Sequence, residues 1–178
     1  MTCLREYLES DDEALLADCD VQTYKASGPG GQHRNKTMSG VRLKHRPTGI
    51  TAQSADSRSQ HENRHRALLR MRMNIACRLR RPVSEGDEIP PAVRECLRSS
   101  AGGRGPSRCI EVNRKNPRYW TVVAVLLDLL EAREGRLSEA AADIGVSTSN
   151  FIKVLKADRH ALAAAQKLRS RHGQKPLS

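Results

Sequence analysis

Apolar positions recur along this chain with two different periods, and each change of period marks an element. Leu4, Leu8, Leu15 and Leu16 fall near helical spacing and predict a short N-terminal helix over 4–17. The stretch 18–26 reads as a strand. Val41, Leu43 and His45 then alternate with Arg42, Lys44 and Arg46, a period of two that sends one set of side chains inward and the other outward. Pro47-Thr48-Gly49 predicts a tight turn, because proline fixes one backbone angle and glycine accepts a positive φ. A partner strand over 50–55 completes a hairpin with a strongly basic face.

The helical period returns with Leu68, Met71, Ile75 and Leu79, which should pack on the sheet. Ser59 and Glu62 have the Ser-x-x-Glu form of a capping box, so a long helix is expected to begin there. Arg66, Arg70, Arg72, Arg78 and Arg80 lie mostly off its apolar stripe. They are candidates for a solvated face or for phosphate contacts. Over 82–117, Pro82, Pro90, Pro91 and the Gly102-Gly103-Arg104-Gly105-Pro106 run interrupt any long periodic element. That segment reads as a linker or extension, with a short helix over 91–98 and an extended piece over 109–112.

Order resumes near the C-terminus. Trp120, Val123, Leu127 and Leu130 predict an amphipathic helix ended by Gly135. A second helix is expected over 138–144 and a third from near Ser147 or Ser149, with Phe151, Val154 and Leu155 inward. Ala141, Gly145 and Phe151 stand where a helix-turn-helix needs a small packing residue, a turn glycine and a core residue, positions an ordinary three-helix bundle satisfies equally. The fold class expected is α+β: a domain over 1–81 with a small sheet packed on a long helix, then the 82–117 linker or extension, then a basic α-helical domain over 118–178.

Composition narrows the partners. The 178 residues carry a formal net charge of +11, which favours a polyanion through its phosphates. Aromatic residues make up only 3%, which argues against base-stacking platforms. No apolar run is long enough to span a bilayer. The early acidic residues Glu6, Glu9, Asp11, Asp12 and Glu13 are unlike a transit peptide, so a cytoplasmic location is expected. Cys3, Cys19, Cys77, Cys96 and Cys109 form an odd set without a Cys-x-x-Cys pair, which opposes a disulfide framework and a structural zinc site. His61 and His65 are spaced for a metal, but no third ligand is apparent and Arg64 and Arg66 would repel a cation. Neither a metal nor a cofactor is expected.

The candidate chemistry sits in Ser27-Gly28-Pro29-Gly30-Gly31-Gln32-His33-Arg34-Asn35-Lys36-Thr37. Glycine lacks a β-carbon, so Gly28, Gly30 and Gly31 can bring backbone amides close to a ligand where bulkier residues cannot. Gln32 adds a neutral amide that donates and accepts, and His33, Arg34 and Lys36 supply charge for phosphates. A bare Gly-Gly-Gln is also an ordinary turn.

Three ordered blocks around it carry a resemblance: 24–37, 41–50 (Val41-Arg42-Leu43-Lys44-His45-Arg46-Pro47-Thr48-Gly49-Ile50) and 57–64 (Ser57-Arg58-Ser59-Gln60-His61-Glu62-Asn63-Arg64). Over roughly 18–80 the chain resembles class I peptide chain release factors and their stand-alone ribosome-rescue relatives. The resemblance implies a ribosome-dependent peptidyl-tRNA hydrolase whose loop enters the peptidyl transferase centre of large-subunit RNA. Gly30, Gly31 and Gln32 take the catalytic places, the Gln32 main-chain N–H stabilising charge that develops on oxygen. Gln32 is also the position those factors carry methylated, which implies a glutamine methyltransferase as a partner.

Such a site needs no acid-base dyad, because an aminoacyl ester is already reactive and requires one oriented water and an oxyanion donor. RNA contacts are expected from Ser27, Gly28, Pro29, His33, Arg34, Asn35 and Lys36 in the loop, from Arg42, Lys44, Arg58, Arg64 and Arg70 around it, and from Lys153, Lys156, Lys167, Arg169 and Arg171 at the basic C-terminal end. No large domain precedes the loop, so the expected function is codon-independent release of nascent peptide from stalled ribosomes by a monomer. A noncatalytic ribosome- or RNA-binding factor and a helix-turn-helix DNA-binding regulator are the alternatives.

Overall fold

The computed structural model describes residues 6–25, 38–84, 87–99 and 108–177. The chain divides into two compact units, Met1–Ile75 and Ala76–Ser178. It is α+β, with small sheets and several helices.

The first unit runs α1 (Glu6–Glu9), α2 (Asp12–Ala17), β1 (Cys19–Tyr24), β2 (Gly40–His45), β3 (Thr51–Ser54) and α3 (Gln60–Arg78), the last three residues of α3 belonging to the second unit. The expected N-terminal helix is two pieces. Asp11 takes extended angles and its carboxylate accepts the Ala14 N–H at 2.7 Å, so it caps a new helix rather than continuing the first. The strands form one antiparallel sheet in the order β1-β2-β3. In the central strand Val41, Leu43 and His45 are buried while Arg42 and Lys44 are exposed, as the period of two requires. Gly49, at φ 69°, closes the β2–β3 hairpin by donating to His45 O at 2.8 Å.

Ser59 Oγ accepts the Glu62 N–H at 3.3 Å and starts α3. The reciprocal half of the capping box is absent. The Ser59 N–H goes to Ser57 Oγ at 3.1 Å, and the Glu62 carboxylate instead stands 3.6 Å from Arg66. Ala67, Leu68, Met71 and Ile75 are buried, and Asn74 donates to Thr51 O at 2.9 Å, which holds α3 against β3. Leu79 falls beyond the helix end and is only half-buried. Arg72 is no phosphate contact: it is buried, ion-paired with Asp12 and bonded to Ser10 O at 2.7 Å.

The second unit holds α4 (Pro91–Arg94), β4 (Leu97–Ser99), β5 (Arg108–Ile110), α5 (Tyr119–Ala132), α6 (Leu137–Ile144), α7 (Thr148–Lys156) and α8 (Arg159–Arg171). Its core takes Val93, Cys96 and Ile110 from the stretch the sequence suggested was a linker. Isolated apolar residues between prolines carry no period, although each fills a place in this core. β4 and β5 pair antiparallel, and Arg108 of β5 makes a parallel bridge to Val146.

The helix expected to be amphipathic is buried nearly all round. In α5 every residue from Thr121 to Leu130 is buried, because the run between Trp120 and Asp128 contains no charge that must reach water. Asp128 is itself buried. It accepts the Arg81 N–H at 3.0 Å and pairs with Arg80 at 3.2 Å, so Arg80 is also committed within the protein.

The α6–α7 corner has helix-turn-helix form. Gly145 ends α6 at φ 75°, and Ser147 caps α7 by accepting the Asn150 N–H at 3.1 Å. Ala140, Ala141, Ile144, Val146, Phe151 and Val154 pack inward on both sides of the turn.

Candidate functional site

The residues expected to do chemistry, Gly30, Gly31 and Gln32, lie outside the described residues, as do Ser27, Gly28, Pro29, His33, Arg34, Asn35 and Lys36. The described residues supply the frame that carries them. Strands β1 and β2 are paired up to Tyr24↔Gly40, so the intervening segment leaves and rejoins the sheet at adjacent positions. The frame is built for close approach at that pair. A β-carbon on Gly40 would stand 2.8 Å from the Tyr24 ring, so only glycine lets the ring lie across the backbone. The Arg42 guanidinium sits 5.6 Å from the centre of the same ring, within cation–π range.

Asn63 clamps the returning strand. Fully buried near the start of α3, it donates to Ser39 O at 2.7 Å and to Ser57 O at 2.8 Å. Its Oδ1 accepts the Ser57 N–H at 2.9 Å and the Ser54 hydroxyl at 3.2 Å. One side chain thereby fixes the residue before β2, the end of β3 and the turn into α3. Sequence reasoning assigned Asn63 no role. The available signal was a polar residue at the head of an inward row continued by Ala67, Met71 and Ile75.

The other expected RNA contacts fall into two groups. Lys44 and Arg58 are exposed, and neither has an ion-pair partner among the described residues. Arg42 is exposed and shares Gln53 Oε1 at 3.2 Å. Arg70 is held more firmly, by Asp56 at 2.7 Å and Gln53 O at 2.6 Å. Arg64 is half-buried with its Nε lacking a partner. In the second unit Lys153, Lys156 and Lys167 are exposed. Arg169 is committed instead to Gly135 O and, at 2.7 Å, to Lys175 O, while Arg171 stands 3.4 Å from Glu131.

The nearest approach to a nucleophile–base pair among the described residues, Thr48 Oγ1 with His45 Nδ1, belongs to a fully buried imidazole at the β2–β3 turn. Cys19, Cys77, Cys96 and Cys109 are free thiols, and burial pushes Cys19 and Cys77 up to about 11, leaving them un-ionised and weakly nucleophilic near neutrality. His45 is buried, with Nδ1 2.8 Å from Thr48 Oγ1 and its ring edge-on to Tyr7. His65 lies 3.3 Å from Asp12. Among the described residues no three His, Cys, Asp or Glu side chains are grouped to hold a metal, and no helix is long and apolar enough to cross a membrane.

The first unit is therefore a small α+β platform in which Asn63 ties the start of β2 to the end of β3 and the turn into α3. Residues 12–96 match the RF-1 domain family. Over 88 residues the chain is 44% identical to peptide chain release factor 2 of Burkholderia pseudomallei (strain 1106a), covering 47% of this chain and 24% of that protein. It is 51% identical over 71 residues to peptide chain release factor 1 of Albidiferax ferrireducens, covering 37% and 19%, and 57% identical over 56 residues to peptide chain release factor 1 of Burkholderia multivorans, covering 32% and 16%. The chain therefore carries a release-factor-type RF-1 domain over residues 12–96, and Gly30-Gly31-Gln32 lies inside the matched residues. It spans about a quarter or less of the length of these relatives.

Proposed function

We propose that this protein hydrolyses the ester of peptidyl-tRNA on the ribosome and releases nascent peptide without reading a codon. The observation that carries the reading is the Tyr24↔Gly40 pair with its Asn63 clamp, a rigid base for the glycine segment in a release-factor-type domain. In this reading Gly30 and Gly31 let the backbone approach the ester, and the Gln32 N–H stabilises the oxygen that gains charge as water attacks. Ribosomal RNA and the tRNA complete the site, which suits a frame without an acid-base pair. The exposed Arg42, Lys44 and Arg58 are the cations of this unit we assign to RNA phosphates. Methylation of Gln32 would add apolar bulk without charge, and intact mass measurement of natively produced protein tests for it.

Codon independence is proposed because the domain match is confined to residues 12–96 and the rest of the second unit is mostly helical. We propose that it acts on cytoplasmic ribosomes. The test is peptide release from purified ribosomes stalled with and without a stop codon. Equal rates on both support the reading; release confined to the stop-codon complex would overturn it.

A further inference from the structure

The function proposed above gives the basic face of α7 no part in ester hydrolysis, yet its chemistry is specific. Thr148, Ser149, Lys153 and Lys156 are exposed, and with half-buried Ile152 they fall at intervals of one and four residues, a single stripe down the helix. Phe151, Val154 and Leu155 fill the opposite side. Neither lysine has a carboxylate partner among the described residues, whereas the nearby acids of α6 are neutralised: Glu139 by Arg136 at 2.9 Å and Asp143 by Arg133 at 2.8 Å. Residues 76–178 hold 19 of the 31 Lys and Arg but 11 of the 20 Asp and Glu, so most of the excess positive charge belongs to this unit.

The stripe occupies the place of a recognition helix but carries no Arg, Asn or Gln, the planar groups that fork two hydrogen bonds to one base, usually from near the start of that helix. Its lysines, which can also reach base edges, stand toward the far end of α7. Asn150, the nearest of the planar groups, is turned inward, accepting the Ile110 N–H at 2.8 Å and donating to Ile110 O at 3.2 Å. The start of α7 offers Thr148 and Ser149, short hydroxyls suited to phosphate oxygens, and its end offers two lysines that act as point charges.

We propose that the α6–α7 corner is a phosphate-docking platform that seats the protein on a double-stranded segment of ribosomal RNA, independently of sequence. The ribosome as partner rests on the function proposed above; the phosphate chemistry rests on the stripe. An A-form duplex keeps its bases in a groove too deep and narrow for a helix, so contact falls on phosphates and 2′-hydroxyls, which hydroxyls and lysines satisfy. Arg169 and Arg171, turned toward their own chain, are not part of the platform.

The test is equilibrium binding of the full chain to purified ribosomes over a salt series, with peptide release measured separately at saturating protein. K153A/K156A should bind about 10-fold more weakly at physiological salt, and its log affinity should fall less steeply with log salt, by about one to two in slope. Release at saturation should stay within about twofold of wild type, since the platform affects occupancy and not the ester. Arg171→Ala, off the stripe, should bind like wild type. Unchanged binding by the double variant with native Trp120 fluorescence would overturn the proposal, as would preference for one DNA duplex sequence over random duplexes. Lysine-dependent ribosome binding without any wild-type release would instead sink the hydrolase reading and leave the platform standing.

Discussion

Asn63 uses its buried amide to hold three backbone groups and one hydroxyl, so its loss should be felt twice. Replacing it with alanine leaves Ser39 O, Ser57 O and the Ser57 N–H without their partner, at about 1–3 kcal/mol for each such group that stays dry. We expect Asn63→Ala to speed amide exchange in β2 and to slow peptide release at saturating protein, because the strand that returns from the glycine segment is no longer fixed. Native exchange in β2 would contradict the clamp. His45 gives a pH signature. Burial pushes its imidazole below the ordinary value of 6.5, with nearby Asp18 opposing and Arg46 adding to the shift. The folded state then binds fewer protons than the unfolded state, so this contribution to stability is complete above about pH 6.5 and is lost as pH falls toward the folded value. Urea unfolding of the first unit at about pH 7.5 and about pH 5 should show that loss, and His45→Gln should reduce it.

At the scale of elements, two glycines carry different burdens. Gly145 sits at φ 75° with nothing within 4 Å of an added β-carbon, so Gly145→Ala meets only backbone strain, about 1–2 kcal/mol. The single Trp, Trp120, reports on the unit concerned, and its unfolding curve should shift by that amount, less for Gly145→Asn. Gly40 faces a steric limit instead. Gly40→Ala should destabilise the hairpin by about 1–3 kcal/mol with Tyr24 present and by much less in Tyr24→Ser, a coupling that a double-mutant cycle measures. Additive losses would show that the ring is not the obstacle. Legibility in the sequence divides along the same line between local and distant causes. The alternation in β2, the Ser59 cap and the Gly145 turn were readable because period, capping side chain and positive φ are local. The Asn63 clamp, the Arg72–Asp12 and Arg80–Asp128 pairs and the all-round burial of α5 were not, because each depends on a partner tens of residues away.

For the whole molecule, the division into two units parts the two proposed roles, chemistry in the first and attachment in the second. In the first unit the glycine segment falls in sequence between the paired strands β1 and β2, and the second unit carries most of the excess positive charge. Local periodicity could not show that division, since the residues of 82–117 that join the second core have no repeating pattern. The central claim is that Gly30-Gly31-Gln32 drives ester hydrolysis. The direct measurement is the single-turnover rate of peptide release from stalled ribosomes saturated with the full chain, for wild type, Gly30→Ala and Gly31→Ala. In this reading a methyl group there would misplace the Gln32 amide, so the rate should fall about 100-fold or more while ribosome affinity stays unchanged. Release by either variant at near wild-type rate would contradict the account.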